Sequence, residues 1–330
     1  MSPLEVRPEG LYCSAGDFYV DAWAPVPTCV VTHAHSDHAR LGHEHYIMHK
    51  DSQKIIEYRL GSVPLQTLTY GEVIKVGDCW VSLHPAGHVL GSAQVRIETK
   101  HGVYVVSGDY KRALDATCPP FEPLECDVFI TESTFALPIY RWDDPEVIAG
   151  DMFDWWEQNR AENRPSIILC YALGKAQRIL SMLKPFTDRS VYVHGAILPI
   201  CDIYAQHGVE MLDFLPIEDK TQKFGGELIL APPSALGSPW MKRFPLARVA
   251  SASGWMQVRG MRRRKGIDKG FVLSDHADWD ELLQTIEQTK AKQVYTAHGY
   301  SAILAKYLSE ERSIKAVELH GLESSEEGEE

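Results

Sequence analysis

The sequence predicts an α/β protein, built as one β-rich layered domain interrupted by a smaller α/β unit. Three observations point to it. The first part of the chain is a series of short apolar runs separated by turns. From about Asp144 the pattern changes to helical spacing alternating with buried-strand runs. In the last third strand, helix and strand return. The chain has 330 residues, 45% hydrophobic and 24% charged, which is ordinary globular composition and enough for one large or two moderate domains.

In order, DFYVDAW, TCVVTHAH, WVSLHPAGH, AQVRIETKHGVYVVSGD and CDVFITEST read as strands, with QVRIET and GVYVVSG joined by KHG as a hairpin. PEVIAGDMFDWWEQNRAEN spaces its apolar residues as a helix does. SIILCYAL is a buried strand, GKAQRILSMLK a helix and VYVHG a strand. ARVASASG, KGFVLSDHA, DWDELLQTIEQTKA and KQVYTAHG then supply the closing strand–helix–strand pattern. The tail ESSEEGEE is acidic and expected to be solvated and disordered.

Composition narrows the function classes. Seven cysteines, an odd number without a C-x-x-C pair, argue against a disulfide framework and against a thiolate zinc site. The opening MSPLEVRPEG lacks a secretion-signal pattern, and apolar runs such as SIILCYAL are too short to cross a bilayer, so a cytoplasmic protein without a membrane partner is expected. A formal net charge of −12 at first argues against nucleic acid. The acidic tail carries much of that excess, and cations bound in an acidic cluster would restore positive charge locally. Net charge therefore does not decide the partner.

The densest chemistry is THAHSDH, with His33, His35, Asp37 and His38 on the loop leaving a buried strand. Histidines two apart in extended backbone point the same way, so His33 and His35 can grip one ion; a turn brings Asp37 and His38 round to a second. Imidazole with carboxylate and no thiol suits zinc, manganese or iron with an open coordination position. His43, His45 and His49 lie outside the pattern and are read as surface or supporting residues.

Here the sequence resembles the metallo-β-lactamase fold superfamily. Asp21 in FYVDAW, His88 in PAGHVLGSA and Asp109 in VVSGDYKR match its further motifs. The resemblance implies an αββα sandwich that binds two divalent ions, zinc or manganese. One ion would be held by His33, His35, His88 and Asp109; the other by Asp37, His38, Asp109 and a later histidine. Asp21 would support the histidine loop.

Downstream, Glu132 in CDVFITESTF, the segments YALGKAQRIL and SASGWMQVRG, His276 in LSDHADWDEL and His298 in YTAHG are similar to motifs of the β-CASP nucleases. That resemblance makes the interruption a β-CASP cap at residues 143–265. Residues 1–142 and 266–322 would form the sandwich, and 323–330 the tail. His298 becomes the later ligand and His276 the general acid for the leaving sugar oxygen, its ring held by Glu132 or Asp275. Lys175 and Gln177, at a Gly-led helix N-terminus, and the Ser253-Gly254 turn are placed to meet phosphates. Arg259 and Arg262 belong to the strongest basic run, RGMRRRK, a local electrostatic track. Trp142, Trp155 and Trp156 are read as packing.

Overall likeness extends to the bacterial DNA ligase-associated exonuclease family. It implies a DNA-repair exonuclease working beside an ATP-dependent DNA ligase and a helicase. The competing readings are an RNA-processing nuclease, favoured by the histidine at 298, and a non-cleaving nucleic-acid-binding partner. A thioester- or lactam-type hydrolase would leave Glu132, the GKAQ helix and His276 unexplained.

Overall fold

The computed structural model describes residues 3–217, 222–258, 260 and 266–320. The chain divides into two compact units, one running to Arg141 and resuming at His276, the other spanning Trp142–Asp275.

The first unit opens with the antiparallel ladder β1 (Leu4–Arg7), β2 (Gly10–Cys13) and β3 (Phe18–Val20). Strands β4 (Thr28–Val30), β5 (His45–His49) and β6 (Leu65–Leu68) add to it in parallel. Helix α1 (Gln53–Leu60) links β5 to β6, buries Ile55 and Ile56, and stops at Gly61, whose φ of 77° suits only a residue without Cβ. A second sheet follows with β7 (Val73–Val76), β8 (Cys79–Pro85), β9 (Ala93–Thr99) and β10 (Gly102–Val106), each antiparallel to the next. The KHG turn joins β9 and β10 with Thr99 opposite Gly102, as the sequence predicts. Strand β11 (Val128–Glu132) lies parallel to β10.

The second unit is a parallel sheet with helices. Helix α2 (Pro145–Ala161) starts at Asp144, whose carboxylate accepts the Glu146 N–H, with Pro145 in the first turn. Strand β12 (Ser166–Leu169) is buried along its whole length, as a strand covered on both faces must be. Then come α3 (Lys175–Leu183), β13 (Val191–Val193), α4 (Leu198–Gln206), β14 (Phe214–Pro216), β15 (Leu228–Ala231), β16 (Arg248–Ala252) and β17 (Lys269–Phe271). The strand order is β14-β13-β15-β12-β16-β17. Trp155 and Trp156 are buried in its core, as packing residues.

One boundary differs from expectation. The segment KGF pairs in parallel with Ala250–Ala252, and Phe271 packs edge-on against Trp155. The second unit therefore runs to Asp275 rather than ending at 265. A three-residue strand carries no sign of which sheet will receive it, so the sequence reading placed KGF with the wrong neighbours.

After His276 the chain adds α5 (Trp279–Thr289), β18 (Gln293–Ala297), α6 (Ser301–Glu311) and β19 (Ala316–Glu318). Helix α5 begins in a capping box, Asp278 accepting from Glu281 N–H and Glu281 from Asp278 N–H. Strand β18 lies parallel to β11 and completes the second sheet, β19-β18-β11-β10-β9-β8-β7. The facing surfaces of the two sheets form one cluster: Leu11, Phe18, Val30 and Ile47 meet Val81, Val95, Ile97 and Ile130. Each such side chain contributes about 1.5–3 kcal/mol on burial. The other face of the second sheet, with Val105, Phe129 and Val294, is covered by Trp279, Leu282 and Ile286 of α5 and Leu304 and Leu308 of α6.

This topology positions the site. Strands β10, β11 and β18 are mutually parallel, and β8 runs the same way after two reversals. The loops that follow them, carrying His88, Asp109, Glu132 and His298, therefore leave one end of one sheet. In the facing sheet β3 and β4 are parallel as well, so Asp21 and His33 leave a common end. Among the described residues no helix is long and apolar enough to cross a membrane.

Candidate metal centre

The histidine loop is fixed before any ion is considered. Asp21 takes a left-handed conformation, φ 47°, just past β3. Its carboxylate accepts the Thr32 N–H at 2.8 Å and the Thr32 hydroxyl at 2.6 Å. It also meets His38 Nδ1 at 2.7 Å. That contact turns His38 Nε2 toward Asp109 Oδ2, 3.3 Å away, and Asp37 Oδ2, 3.6 Å away. Thr32 Oγ1 lies 3.0 Å from His33 Nδ1 and leaves His33 Nε2 facing inward. From α1, an Arg59 Nη1 hydrogen bond to the Ala34 carbonyl braces the middle of the loop.

His88 is held from behind by Ser92 Oγ, which accepts its backbone N–H and that of Val89. Gly108, at φ 57°, passes so close to Thr32 that a Cβ would lie 2.7 Å from the threonine side chain. Only glycine lets Asp109 reach the histidines there.

Four donors converge. His33 Nε2 and His88 Nε2 each lie 3.1 Å from His35 Nδ1, and Asp109 Oδ2 is 3.5 Å from His33 and 3.8 Å from His88. Ligands at about 2.0–2.2 Å from a tetrahedral ion stand roughly 3.3 Å apart, so these separations suit a single divalent cation. His33, His88 and Asp109 are buried. Asp37, His38 and Asp109 are the donors on the other side. His298 stands near them, its ring 5.9 Å from that of His38, with a φ of 60° and a buried Nδ1 that has no hydrogen-bond partner. Ser133 Oγ holds it in that strained geometry through the Ala297 and His298 carbonyls. An orphaned buried nitrogen beside a carboxylate–imidazole pair fits a ligand site, although His298 is not among the atoms already gathered.

Electrostatics agree with that donor set. Burial drives the His33 imidazole well below its ordinary 6.5, leaving it neutral with a lone pair to give. Burial alone would do the same to His38, but Asp109, Asp37 and Asp21 outweigh it and hold its proton well above 6.5. Burial would raise Asp109, yet His38, His276 and His33 hold it well below 3.8. Burial lowers His298.

His276 and Glu132 stand at the edge of this cluster. Donor atoms of Asp109, Glu132 and His276 gather within 4.8 Å, a spacing a cation could share. Glu132 is however already engaged at both oxygens, accepting the Tyr110 N–H at 2.8 Å and meeting His276 Nδ1 at 2.9 Å. A carboxylate bonded to Nδ1 orients an imidazole for proton transfer at Nε2. Of the two carboxylates expected to hold His276, Glu132 makes this bond. Asp275 belongs to a buried network with Arg178 Nη1 at 3.1 Å and Lys175 Nζ at 3.5 Å.

The expected phosphate contacts need correction. Lys175 is buried in that network. Gln177 is fully buried and caps its own helix, Oε1 accepting the Gly174 N–H at 2.7 Å and Nε2 donating to the Ala172 carbonyl at 3.0 Å. The Ser253 N–H goes to the Phe271 carbonyl, its hydroxyl accepts from Trp255 N–H, and Gly254 is buried. A glycine-led helix start looks the same in sequence whether it greets a ligand or its own side chain. Arg259 and Arg262 lie outside the described residues. His43 and His49, read as surface or supporting residues, are buried: His49 stacks on Tyr70 at 3.6 Å. Thr32, Arg59, Ser92 and Ser133 carried no sequence signal, because a hydroxyl or guanidinium that braces a loop looks like any other until its partner arrives.

Two facing sheets with histidine and aspartate donors at their common end give an α/β protein with a group of side chains that could hold a metal ion. No family model matches the chain. It is 29% identical to "Probable DNA ligase" of Opitutus terrae over 93% of this chain and 30% of that one. It is 22% identical to "Endoribonuclease YSH1" of Candida glabrata, covering 78% and 42%, and 27% identical to "Ribonuclease TTHA0252" of Thermus thermophilus, covering 54% and 46%. The chain thus spans less than half the length of these curated relatives. A protein of unknown function from Enterococcus faecalis V583 shares the fold, with a TM-score of 0.59 at 13% identity over 92% of this chain and 80% of that one. Ribonucleases are thus among the proteins it is similar to, in keeping with the nuclease motifs of the sequence.

Proposed function

We propose that the protein is a metal-dependent nuclease of the metallo-β-lactamase/β-CASP kind that hydrolyses phosphodiester bonds in DNA. The observation that carries this is the convergence of His33, His35, His88 and Asp109 beside a His276–Glu132 pair. In this reading the facing sheets with their flanking helices are the αββα sandwich, and Trp142–Asp275 is the inserted cap.

His33, His35, His88 and Asp109 would hold one divalent ion, and Asp37, His38, Asp109 and His298 a second. Such ions, when bound, make water nucleophilic at neutral pH and offset charge on phosphoryl oxygens. The protein's own task is proton management. Glu132 Oε2 lies 2.9 Å from His276 Nδ1 and orients the ring, so that Nε2 would be the atom that donates to the departing sugar oxygen. Once Nε2 has given up its proton the ring keeps Nδ1–H toward Glu132, and a proton taken from solvent at Nε2 resets the acid for the next cycle.

DNA is favoured by the chain-long similarity to a probable DNA ligase. Action beside an ATP-dependent ligase, with a helicase, in DNA repair belongs to the same reading, as does exonuclease action. The ribonuclease relatives and the histidine at 298 support RNA as a second reading. Manganese-loaded protein incubated with end-labelled DNA and RNA strands distinguishes them. His276→Ala should lower cleavage by about 10²–10⁴-fold while leaving bound metal intact. Loss of metal in that variant would show that His276 is a ligand and overturn its role.

A further inference from the structure

We propose that Arg40 is the anion-binding residue of this centre, receiving a phosphate oxygen of the nucleic-acid strand beside Asp37 and His38. The inference rests on the nuclease reading and adds to it a substrate contact.

The cavity at the centre is lined on its polar side by Asp37, His38, His298 and Arg40, and on its apolar side by Leu11 and Trp23. Arg40 brings a permanent positive charge to a cavity that also presents carboxylates, imidazoles, the Ser107 and Thr131 hydroxyls and apolar groups. Its Nε is buried without a hydrogen-bond partner. A buried donor left in that state costs on the order of 1–3 kcal/mol, and more when charged. The neighbouring carboxylates do not relieve it: Asp21 and Asp37 face His38, and no ion pair forms to Arg40 among the described residues.

The backbone that carries Arg40 is also held in place. The Tyr46 hydroxyl donates to the Arg40 carbonyl at 2.7 Å and accepts the His43 N–H at 3.2 Å, pinning both ends of the turn from a fully buried ring. Gly42, at φ 111°, makes the turn tight. Leu41 is thrown outward, 64% exposed, while Arg40 faces the cavity. A planar fork of donors with permanent charge matches two phosphate oxygens better than any other side chain. The half-buried Trp23 offers apolar surface to the attached sugar. The phosphate could be a terminal monoester or an internal diester, and one experiment separates them.

His276→Ala protein, loaded with manganese, is titrated into labelled single strands ending in 5′-phosphate or 5′-hydroxyl, and binding is read by fluorescence anisotropy. Adding Arg40→Gln should weaken binding about tenfold or more with manganese content unchanged, and Arg40→Lys should weaken it less. A loss confined to 5′-phosphate strands assigns the terminal monoester; an equal loss on both assigns an internal phosphate. Undiminished affinity in Arg40→Gln overturns the proposal, as does loss of manganese, which would make Arg40 a brace for the ligand loop. If the parent binds neither DNA nor RNA, the nuclease reading fails. The anion site is then tested alone: inorganic phosphate should raise the melting temperature of the wild type but not of Arg40→Gln, and equal responses overturn it.

Discussion

His38 sits among three carboxylates, Asp21, Asp37 and Asp109, and keeps its proton to well above the ordinary 6.5. A cation can take Nε2 only after that proton leaves. Binding therefore releases a proton wherever the metal-free ring is charged, which is everywhere below its raised pKa and so reaches past pH 6.5, and apparent metal affinity should fall as pH falls through that pKa. His33 and His298, held below 6.5, add no such cost at neutral pH. Chelator competition at a series of pH values measures this; affinity that stays level through the range would contradict it. Asp21 directs the same ring through Nδ1 while anchoring Thr32. Asp21→Asn should lower metal affinity by about 10–100-fold, read by the same competition, because a supporting carboxylate tunes both orientation and basicity of its histidine.

Helix α3 shows how one motif serves its own element. Gln177 closes the helix start from both sides, taking the Gly174 N–H and giving to the Ala172 carbonyl, with no surface exposed. Gln177→Ala should cost about 1–3 kcal/mol in chemical denaturation, since it strands buried backbone groups. Strand affinity per folded molecule should stay unchanged; a specific loss of affinity without loss of stability would restore the phosphate-contact reading. The loop after β10 obeys a steric rule instead. Gly108→Ala would place a methyl 2.7 Å from Thr32 and force a left-handed conformation on alanine. Displacement of Asp109 should follow, with metal content dropping far more than the melting temperature.

The whole first unit is organised so that loops from both sheets meet at one end. No single element holds the centre, so a bound ion would tie together β4, β8 and β10 loops that are far apart in the chain. Chelation should therefore lower the melting temperature of the metal-loaded protein, and resupply should restore it. An ion present at a hundredfold excess over its dissociation constant stabilises by about 2.7 kcal/mol if it binds only the folded chain. Asp109→Ala should blunt that response. A melting temperature indifferent to chelator in the metal-loaded wild type would show that the donors, though gathered, are not bridged.

Much of this was legible in the chain itself. His33, His35, Asp37 and His38 are local: two-residue spacing in extended backbone followed by a turn determines where those side chains point. The hairpin at KHG and the capped helices at Asp144 and Asp278 are local too, written in turn and cap chemistry. The contacts decided by folding are those between residues remote in sequence. Glu132 rather than Asp275 bonds His276 because β11 and the start of α5 meet across 144 positions. KGF joined the second unit because Phe271 found Trp155. Lys175 and Gln177 turned inward because burial gave them partners of their own. Arg40 differs again: its residue type was visible two positions beyond His38, but only the fold, with Tyr46 packed behind the turn, shows a half-buried cation at the cavity whose buried Nε has no hydrogen-bond partner. A donor's identity is written locally, whereas its partner depends on distance in space, which sequence spacing does not encode.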